Sequence, residues 1–141
     1  MIWIVNVNSN LCRIYHYQKS PAKVTLIKEI EHPENKLKPS EIVSDKPGRY
    51  KGGMYSPHTD IKEVEFDHFA REVAKELDEG RVKSKYEKLI LIAPPHMNGL
   101  LLQHMDKHVK ELVMNNIQKD LIFLKDHELL NFVKENDYPA N

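Results

Sequence analysis

The start of the chain is rich in residues that favour β-strands, with a weak alternation of apolar and polar positions in the first run. Three β-rich runs, at residues 2–7, 11–17 and 23–31, are separated by turn residues. Because short turns connect the runs, we expect an antiparallel meander of three strands. The last run alternates between apolar and polar positions, which predicts one set of apolar side chains on a single face: Val24, Leu26 and Ile30.

The clearest helical period follows residue 60. Apolar residues three or four positions apart form one stripe along this segment: Phe66, Phe69, Ala70, Val73, Ala74 and Leu77. Asp60 and Glu63 match a capping box, so the pattern predicts a helix from residue 60 to residue 79 that packs through its apolar stripe. Gly80 follows as the residue expected to end this helix.

A nearly continuous apolar run at residues 88–93 predicts a strand that is buried on both faces, and a pair of prolines ends it. The patterns beyond it predict a helix at about residues 98–108, a strand at about 111–117 and a helix at about 125–135. Three antiparallel strands followed by two crossover units predict a ribonuclease H-like α/β fold. Its mixed five-stranded sheet has the order 3-2-1-4-5, with helices on both faces.

Length and composition place broad limits on the protein. The 141 residues are expected to form a single domain, residues 1–141, with a core of ordinary size. The 21 basic and 21 acidic residues cancel, so any affinity for nucleic acid must come from a local patch. Cys12 is the only cysteine, which excludes an internal disulfide and a cysteine-based zinc site. The sequence lacks a signal-peptide pattern and a membrane span of roughly 20 apolar residues, so we expect a cytoplasmic protein.

A long stretch at about residues 39–59 has no helical or strand period. From Lys36, just before this stretch, to Lys51 within it, the chain carries five Lys or Arg residues against two acids, and tyrosines occur among and after them. Cationic and aromatic side chains together suit contact with phosphates and stacking on bases, although a solvated basic loop is the simpler alternative. Loops of this length are uncommon in compact domains unless they bind something or are disordered. The candidate ligand- or RNA-binding residues are Ser44, Asp45, Lys46, Arg49, Tyr50, Lys51, Gly52, Gly53, Met54 and Tyr55.

The sequence "SDKPGR" within this stretch predicts local order. Asp45 can accept backbone hydrogen bonds in an Asx-turn, and Pro47 with Gly48 supplies turn geometry. Arg49 is then expected to be free for a bidentate contact with an anion.

The carboxyl ends of the parallel strands form a second candidate site, because α/β sheets place ligands at a topological switch point. The predicted strand order brings Asn8, at the end of the first strand, close to His96 and Asn98, which follow the fourth. If a helix begins at Asn98 and Gly99, its free amides could hold an anion. The alternative is that the proline pair only terminates the strand.

Four segments, taken together, resemble the bacterial host attachment protein family: "EHPENKLKPSEIVSDKPGRY" (31–50), "FDHFAREVAKELDEG" (66–80), "KLILIAPPHMNGLL" (88–101) and "QKDL" (118–121). The resemblance spans essentially the whole chain. The family is named for a requirement in attachment to host cells, which is a phenotype and not a chemistry. It is also similar to the central domain of archaeal and eukaryotic class I release factors and Pelota. That similarity implies a ribonuclease H-like fold, work in translation, and partners such as the ribosome, tRNA or rRNA.

The release-factor loop gives the sharpest comparison. That loop carries Gly-Gly-Gln before a long helix, and here Gly52, Gly53 and Met54 precede the predicted helix. Two glycines permit unusual backbone dihedrals, and the glutamine of release factors helps to position a water against the peptidyl-tRNA ester. Met54 has a weak sulfur acceptor and no side-chain N–H donor, so this departure favours binding without ester hydrolysis.

Other catalytic arrangements have little support in the sequence. A ribonuclease H-like nuclease needs clustered carboxylates on its central strands, yet the first strand carries Asn6 and Asn8 and the fourth carries no acid. His104 and His108 are four positions apart on a predicted helix, which is a spacing of metal ligands. No third ligand accompanies them, and two surface histidines are the alternative. We therefore expect no cofactor, no bound metal and no catalytic residue.

Three functions from different classes remain. The first is a non-catalytic binding domain of release-factor ancestry that contacts RNA or the translation machinery through residues 44–55. The second is an interaction or regulatory protein required for attachment to host cells, with an unidentified protein partner. The third is a degenerate peptidyl-tRNA hydrolase.

Overall fold

The computed structural model describes residues 1–32 and 57–136, and for residues 57–60 the backbone only. Within these ranges the chain forms strands β1 (Ile2–Val7), β2 (Leu11–Lys19), β3 (Ala22–Glu31), β4 (Lys88–Ile92) and β5 (Val113–Ile117). The helices of the same ranges are α1 (Pro57–Val82), α2 (Pro95–His104), α3 (Lys107–Lys110) and α4 (Asp126–Glu135). Across these ranges, no helix combines the length and the apolar character needed to cross a membrane.

The strands form one mixed sheet of order β3-β2-β1-β4-β5. β2 pairs antiparallel with both β1 and β3, whereas β4 pairs in parallel with β1 and β5. β1 therefore lies at the centre, which agrees with the burial of five of its six residues. The predicted ribonuclease H-like α/β fold and its strand order are confirmed.

Helices cover both faces of the sheet. α1, α2 and α3 pack on the face that carries Trp3 and Val5 of β1, which we name the α1 face. α4 packs on the face that carries Ile4, which we name the α4 face. Successive side chains of β1 and β4 point to opposite faces and so supply both cores. The predicted stripe of α1 lies in the first of these cores, where four of its residues are at most 1% exposed: Phe69, Ala70, Val73 and Leu77.

α1 begins earlier than the sequence predicts. Its first residue is Pro57, which fits the preference for proline in the first turn of a helix. Asp60 therefore lies inside the helix and is not its N-cap, so the predicted capping box is wrong. Residues 57–59, which the sequence pattern assigns to the long loop, belong to the helix.

The other end of α1 also differs from the prediction. The helix runs to Val82, so Gly80 lies inside it and does not end it. A Cβ atom at position 80 would lie 2.6 Å from Cη2 of Trp3 and 3.1 Å from Cε1 of Tyr86. Gly80 is therefore required by the close approach of α1 to the sheet.

The predicted helix at residues 98–108 is two helices. α2 begins at Pro95, directly after the strand, because proline is favoured at the first helical position, and it ends at His104. A turn follows, in which the Asp106 side chain caps α3 by accepting a hydrogen bond from the backbone N–H of His108. The prediction that both histidines lie on one helix is therefore wrong.

β3 contains a bulge at Ile27. Ile14 of β2 pairs with Lys28, and the next residue of β2, Tyr15, pairs with Leu26. Ile27 is thus the extra residue, with no partner in the register of β2.

The bulge changes which apolar residues of β3 share a face. One extra residue shifts the alternation by one position. Val24 packs in the core of the α4 face, and Ile30 packs in the core of the α1 face. Leu26 and Ile27 remain 43% and 48% exposed. The prediction of a single face formed by Val24, Leu26 and Ile30 is therefore wrong.

Candidate functional site at the carboxyl edge of the sheet

Four strands end at the same edge of the sheet. β3, β1, β4 and β5 run in one direction, because β2 is antiparallel to both of its neighbours. The predicted proximity of the ends of β1 and β4 is confirmed by their parallel pairing. α/β sheets place ligand sites at such an edge. We name it the carboxyl edge and define it by the residues that follow the four strands: Asn8, His32, His96 and Asp120.

The candidates among residues 44–55 lie outside the described residues. Their segment leaves the described chain after His32, which directly follows β3, and returns at Pro57 in α1. The ring of His32 lies 6.4 Å from the ring of Phe66 and 5.3 Å from that of Phe69, measured between centroids. The first half of α1 therefore packs beside the end of β3, at the carboxyl edge.

Phe66 connects two histidines of the carboxyl edge. Its ring stands edge-on to His32 at 6.4 Å and to His96 at 6.0 Å between centroids. His32 is buried, whereas the His96 side chain is 56% exposed and its Nε2 lies 3.3 Å from Oε1 of Glu63. Sequence reasoning missed His32 and Phe66 because they meet only through the sheet order. The only local sign of this site in the sequence is that His32, followed by a proline, comes directly after the predicted third strand.

Asn8 closes the turn between β1 and β2. Its Oδ1 accepts hydrogen bonds from the backbone N–H groups of Asn10 at 2.9 Å and Leu11 at 3.0 Å. This is the Asx-turn geometry by which asparagine stabilises tight turns. Its Nδ2 lies 3.4 Å from Oδ1 of Asp120, which follows β5. Asn8 therefore shapes the carboxyl edge through contacts within the protein.

Asn6, in the central strand β1, binds the segment that follows β5. Its side chain is fully buried, and its Nδ2 donates a hydrogen bond to the carbonyl oxygen of Leu121 at 3.0 Å. Its Oδ1 is buried and has no hydrogen-bond partner among the described residues. An orphaned buried acceptor costs about 1–3 kcal/mol, so this position carries a cost that ordinary core packing does not explain.

Asn98 pairs with Asn116 between α2 and β5. Nδ2 of Asn98 donates to Oδ1 of Asn116 at 3.1 Å, and Nδ2 of Asn116 donates to Oδ1 of Asn98 at 2.7 Å. The backbone N–H of Asn98 donates to the carbonyl oxygen of Pro94 at 2.8 Å, because α2 begins at Pro95. The predicted helix start at Asn98 is wrong, and its backbone amide is not free to hold an anion.

His104 and His108 have separate carboxylate partners. Nε2 of His104 lies 2.6 Å from Oδ1 of Asp67 in α1, and Nδ1 of His108 lies 2.9 Å from Oδ2 of Asp106. The hydrogen bond with His104 lowers the pKa of Asp67 below its ordinary value, and the neighbouring positive charges act in the same direction. Within the described ranges, no three His, Cys, Asp or Glu side chains are grouped to hold a metal ion.

The sequence model of one protein family matches residues 3–133, and the family is described as "Protein required for attachment to host cells". This chain belongs to that family. This host attachment family member is also similar to an uncharacterized protein of Rickettsia prowazekii (strain Madrid E). The two are 35% identical over 104 residues, which is 72% of this chain and 67% of the relative.

The fold of this host attachment family member is also similar to a solved structure, the crystal structure of an archaeal translation termination factor. The TM-score is 0.57 at 15% sequence identity. The match covers 98% of this chain and 35% of that factor, so the chain corresponds to about a third of the factor's length. At this identity the likeness concerns the fold, and it confirms the predicted release-factor-like architecture.

Proposed function

We propose that this host attachment family member is a non-catalytic binding domain that contacts RNA or the translation machinery through residues 44–55. The observation that carries the proposal is the place where their segment joins the described chain. It leaves the end of β3 and returns into α1, whose first half packs at the carboxyl edge. α/β sheets bind their ligands at that edge. The likeness of the fold to an archaeal translation termination factor supports translation as the setting.

Local charge supports contact with phosphates. The whole chain has 21 basic and 21 acidic residues, so no overall field attracts an anionic polymer. Residues 44–55 carry three basic side chains against the single acid Asp45, and Arg49 can hold a phosphate through two parallel hydrogen bonds. Tyr50 and Tyr55 add rings on which bases can stack.

Binding without catalysis follows from the residue at position 54. Gly52 and Gly53 keep the backbone freedom of a Gly-Gly-Gln loop. Met54 has no N–H donor on its side chain, so it cannot orient a water through a side-chain amide.

The described part of the carboxyl edge adds one exposed contact. Of the three edge residues predicted from the sequence, Asn8 and Asn98 are at most 9% exposed, whereas the His96 side chain is 56% exposed. His96 stands between Phe66 and Glu63, so its ring is held in place by α1. We therefore include His96 with residues 44–55 in the proposed interface.

The test is cosedimentation of the purified protein with ribosomes, and binding to a short single-stranded RNA, over a series of salt concentrations. Binding should weaken steeply with salt, because basic side chains release counterions from phosphates. Arg49→Ala should weaken binding and reduce the salt dependence, while the melting temperature stays unchanged. The matched control is Lys83→Ala. Lys83 is an exposed basic residue just beyond the end of α1, at the opposite edge of the sheet, so its removal should leave binding unchanged.

Two results would overturn the proposal. One is a wild-type protein that binds neither ribosomes nor RNA at low salt. The other is an Arg49→Ala variant that unfolds, since Arg49 would then stabilise the fold instead of contacting a ligand.

The family assignment favours a second candidate function. The description of the family names attachment to host cells, so an interaction or regulatory role in attachment is the alternative. This role predicts a protein partner whose binding survives nuclease treatment and does not depend on Arg49. Partner binding measured with the Arg49→Ala variant, and after nuclease treatment, therefore separates the two candidates.

A further inference from the structure

A cleft of about 510 Å³ opens on the α4 face, beside the carboxyl edge. β2 and β3 form one wall through Tyr15 and Leu26, and the segment from Ile122 to Asp126 forms the other. Arg13, which also lines the cleft, pairs in the sheet register with Asn6, the second-last residue of β1. The volume is in the range of small-molecule sites, which measure roughly 300–1,000 Å³.

Phe123 stands at the mouth of this cleft and is 71% exposed, more than any other exposed large apolar side chain of the described residues. Its turn is held by hydrogen bonds from both sides. Nδ2 of Asn6 donates to the carbonyl oxygen of Leu121 at 3.0 Å, and Nη1 of Arg13 donates to that of Ile122 at 3.1 Å. The backbone N–H of Leu124 closes the turn on Leu121 at 3.0 Å. The backbone of this turn is thus fixed by hydrogen bonds, and the ring of Phe123 is presented to solvent.

The charges around the cleft balance. Nε of Arg13 lies 2.8 Å from Oε2 of Glu29, so this guanidinium is neutralised within the wall. Lys125 and Asp126 place one positive and one negative charge next to each other on the other wall. A phosphate would meet two carboxylates here, so the charge pattern favours a neutral ligand.

Polar groups at the mouth also restrict the chemistry of the ligand. Asp126 lines the cleft and is exposed. It offers an acceptor, and the exposed ammonium of Lys125 offers a donor. An aliphatic side chain of a protein partner would cover both groups without pairing them, at a cost for each. A flat ring with apolar faces and a hydrogen-bonding edge fits better.

We propose that this cleft binds one unpaired nucleobase of a single-stranded RNA, which stacks on Phe123 beside Leu26 with its edge toward Lys125 and Asp126. The inference rests on the proposed function, since it takes RNA as the ligand. It adds a second contact, on the α4 face, to the one at residues 44–55. Residues 44–55 hold phosphates through charge, whereas the cleft holds a base through stacking.

The experiment compares two short single-stranded RNAs of equal length and charge, one of mixed sequence and one made of abasic nucleotides, by fluorescence anisotropy. Phe123→Ala should weaken binding of the mixed-sequence RNA about tenfold, a value within the range for loss of one base–aromatic stack. The same variant should bind the abasic RNA as the wild type does. Phe123→Trp keeps an aromatic face and should retain affinity for both. Val82→Ala is the control, because Val82 is a similarly exposed apolar residue (65%) at the far end of α1.

A direct readout comes from the NMR signals of the Leu26 methyl groups, which should shift with the mixed-sequence RNA and not with the abasic RNA. The outcomes separate the two proposals. If the wild type binds neither of these RNAs nor ribosomes, the proposed function fails. If it binds ribosomes but neither RNA, only the base site is refuted. If it binds both RNAs and Phe123→Ala changes nothing, the proposed function stands and the base site is refuted. The cleft would then serve another ligand, such as a side chain of a protein partner.

Discussion

Oδ1 of Asp67 lies 2.6 Å from Nε2 of His104, and this contact ties the middle of α1 to the last residue of α2. Oδ2 of the same carboxylate lies 3.2 Å from Nε of Arg71, one turn further along α1. The hydrogen bond with His104 is the main cause of the lowered pKa of Asp67. The carboxylate is therefore stabilised in its ionised form by the fold.

This arrangement predicts a pH-dependent contribution to stability. A carboxylate whose pKa is lowered by folding stabilises the protein above its unfolded pKa of roughly 3.9. The contribution is lost as the pH falls through the lower, folded value. Asp67→Asn should therefore lower the melting temperature at pH 7, and the difference from the wild type should shrink as the pH falls below about 4.

The control for Asp67 is Glu63→Gln in the same helix. Glu63 pairs with His96 at 3.3 Å, but both side chains are more than half exposed. Exposed pairs contribute about 0–1 kcal/mol, so the melting temperature should stay close to that of the wild type. Equal losses in the two variants would contradict the specific role of Asp67.

Replacement of Gly80 by alanine should destabilise the protein. The new Cβ would lie 2.6 Å from Cη2 of Trp3. The Trp3 ring cannot easily move away, because it packs against the Tyr86 ring with 4.6 Å between the centroids. Overpacking of this kind costs about 1–3 kcal/mol, which exceeds the helix propensity gained by alanine. Urea denaturation should show the loss. At Gly99 in α2 a Cβ meets nothing within 4 Å, so Gly99→Ala should stabilise the protein by up to about 1 kcal/mol.

Truncation of Phe69 tests the core of the α1 face. Phe69 is 1% exposed and packs beside His32, so Phe69→Ala should cost about 3–5 kcal/mol of unfolding free energy. Val64, in the same helix, is 53% exposed, and Val64→Ala should change the unfolding free energy by no more than about 0.5 kcal/mol. Comparable losses at the two positions in chemical denaturation would mean that the outer side of α1 is covered in solution.

The protein should not hydrolyse peptidyl-tRNA on programmed ribosomes. Met54→Gln should restore little activity, because catalysis also requires placement of the loop to within about 0.5 Å by supporting structure. Release of a labelled peptide is the measurement. Robust release by the wild type that is abolished by Gly53→Ala would show that the loop is catalytic.

Local patterns predicted the features that depend on neighbouring residues. The period of α1 identified Phe69, Val73 and Leu77 as core, and the continuous apolar run identified β4 as a buried strand. The strand order followed from the sequence of elements and the handedness of crossovers. Element boundaries were less well predicted. The apolar period shows only the part of a helix that packs on the sheet, whereas Pro57 and Pro95 start α1 and α2 before that part begins.

The sites depend on contacts that no local pattern encodes. The cluster of His32, Phe66 and His96 exists because the ends of β3, α1 and α2 meet at one edge. The cleft beside Phe123 exists because Asn6 and Arg13 hold the segment after β5 over two strands. The two residues of each of these hydrogen bonds are more than 100 positions apart in the chain, so the sequence around either residue does not indicate the contact.

The bulge in β3 has a consequence for the behaviour of the protein at high concentration. Within the described residues β3 is an outer strand, and the outer side of such a strand is a template on which another chain can add. The bulge at Ile27 breaks the even spacing of the backbone hydrogen-bonding groups, and Lys28 and Glu29 place charges beside the break. An incoming strand could pair with only a few residues before it met the kink. Ile27, the bulge residue that changes which side chains of β3 share a face, therefore also disfavours aggregation through this edge of the sheet.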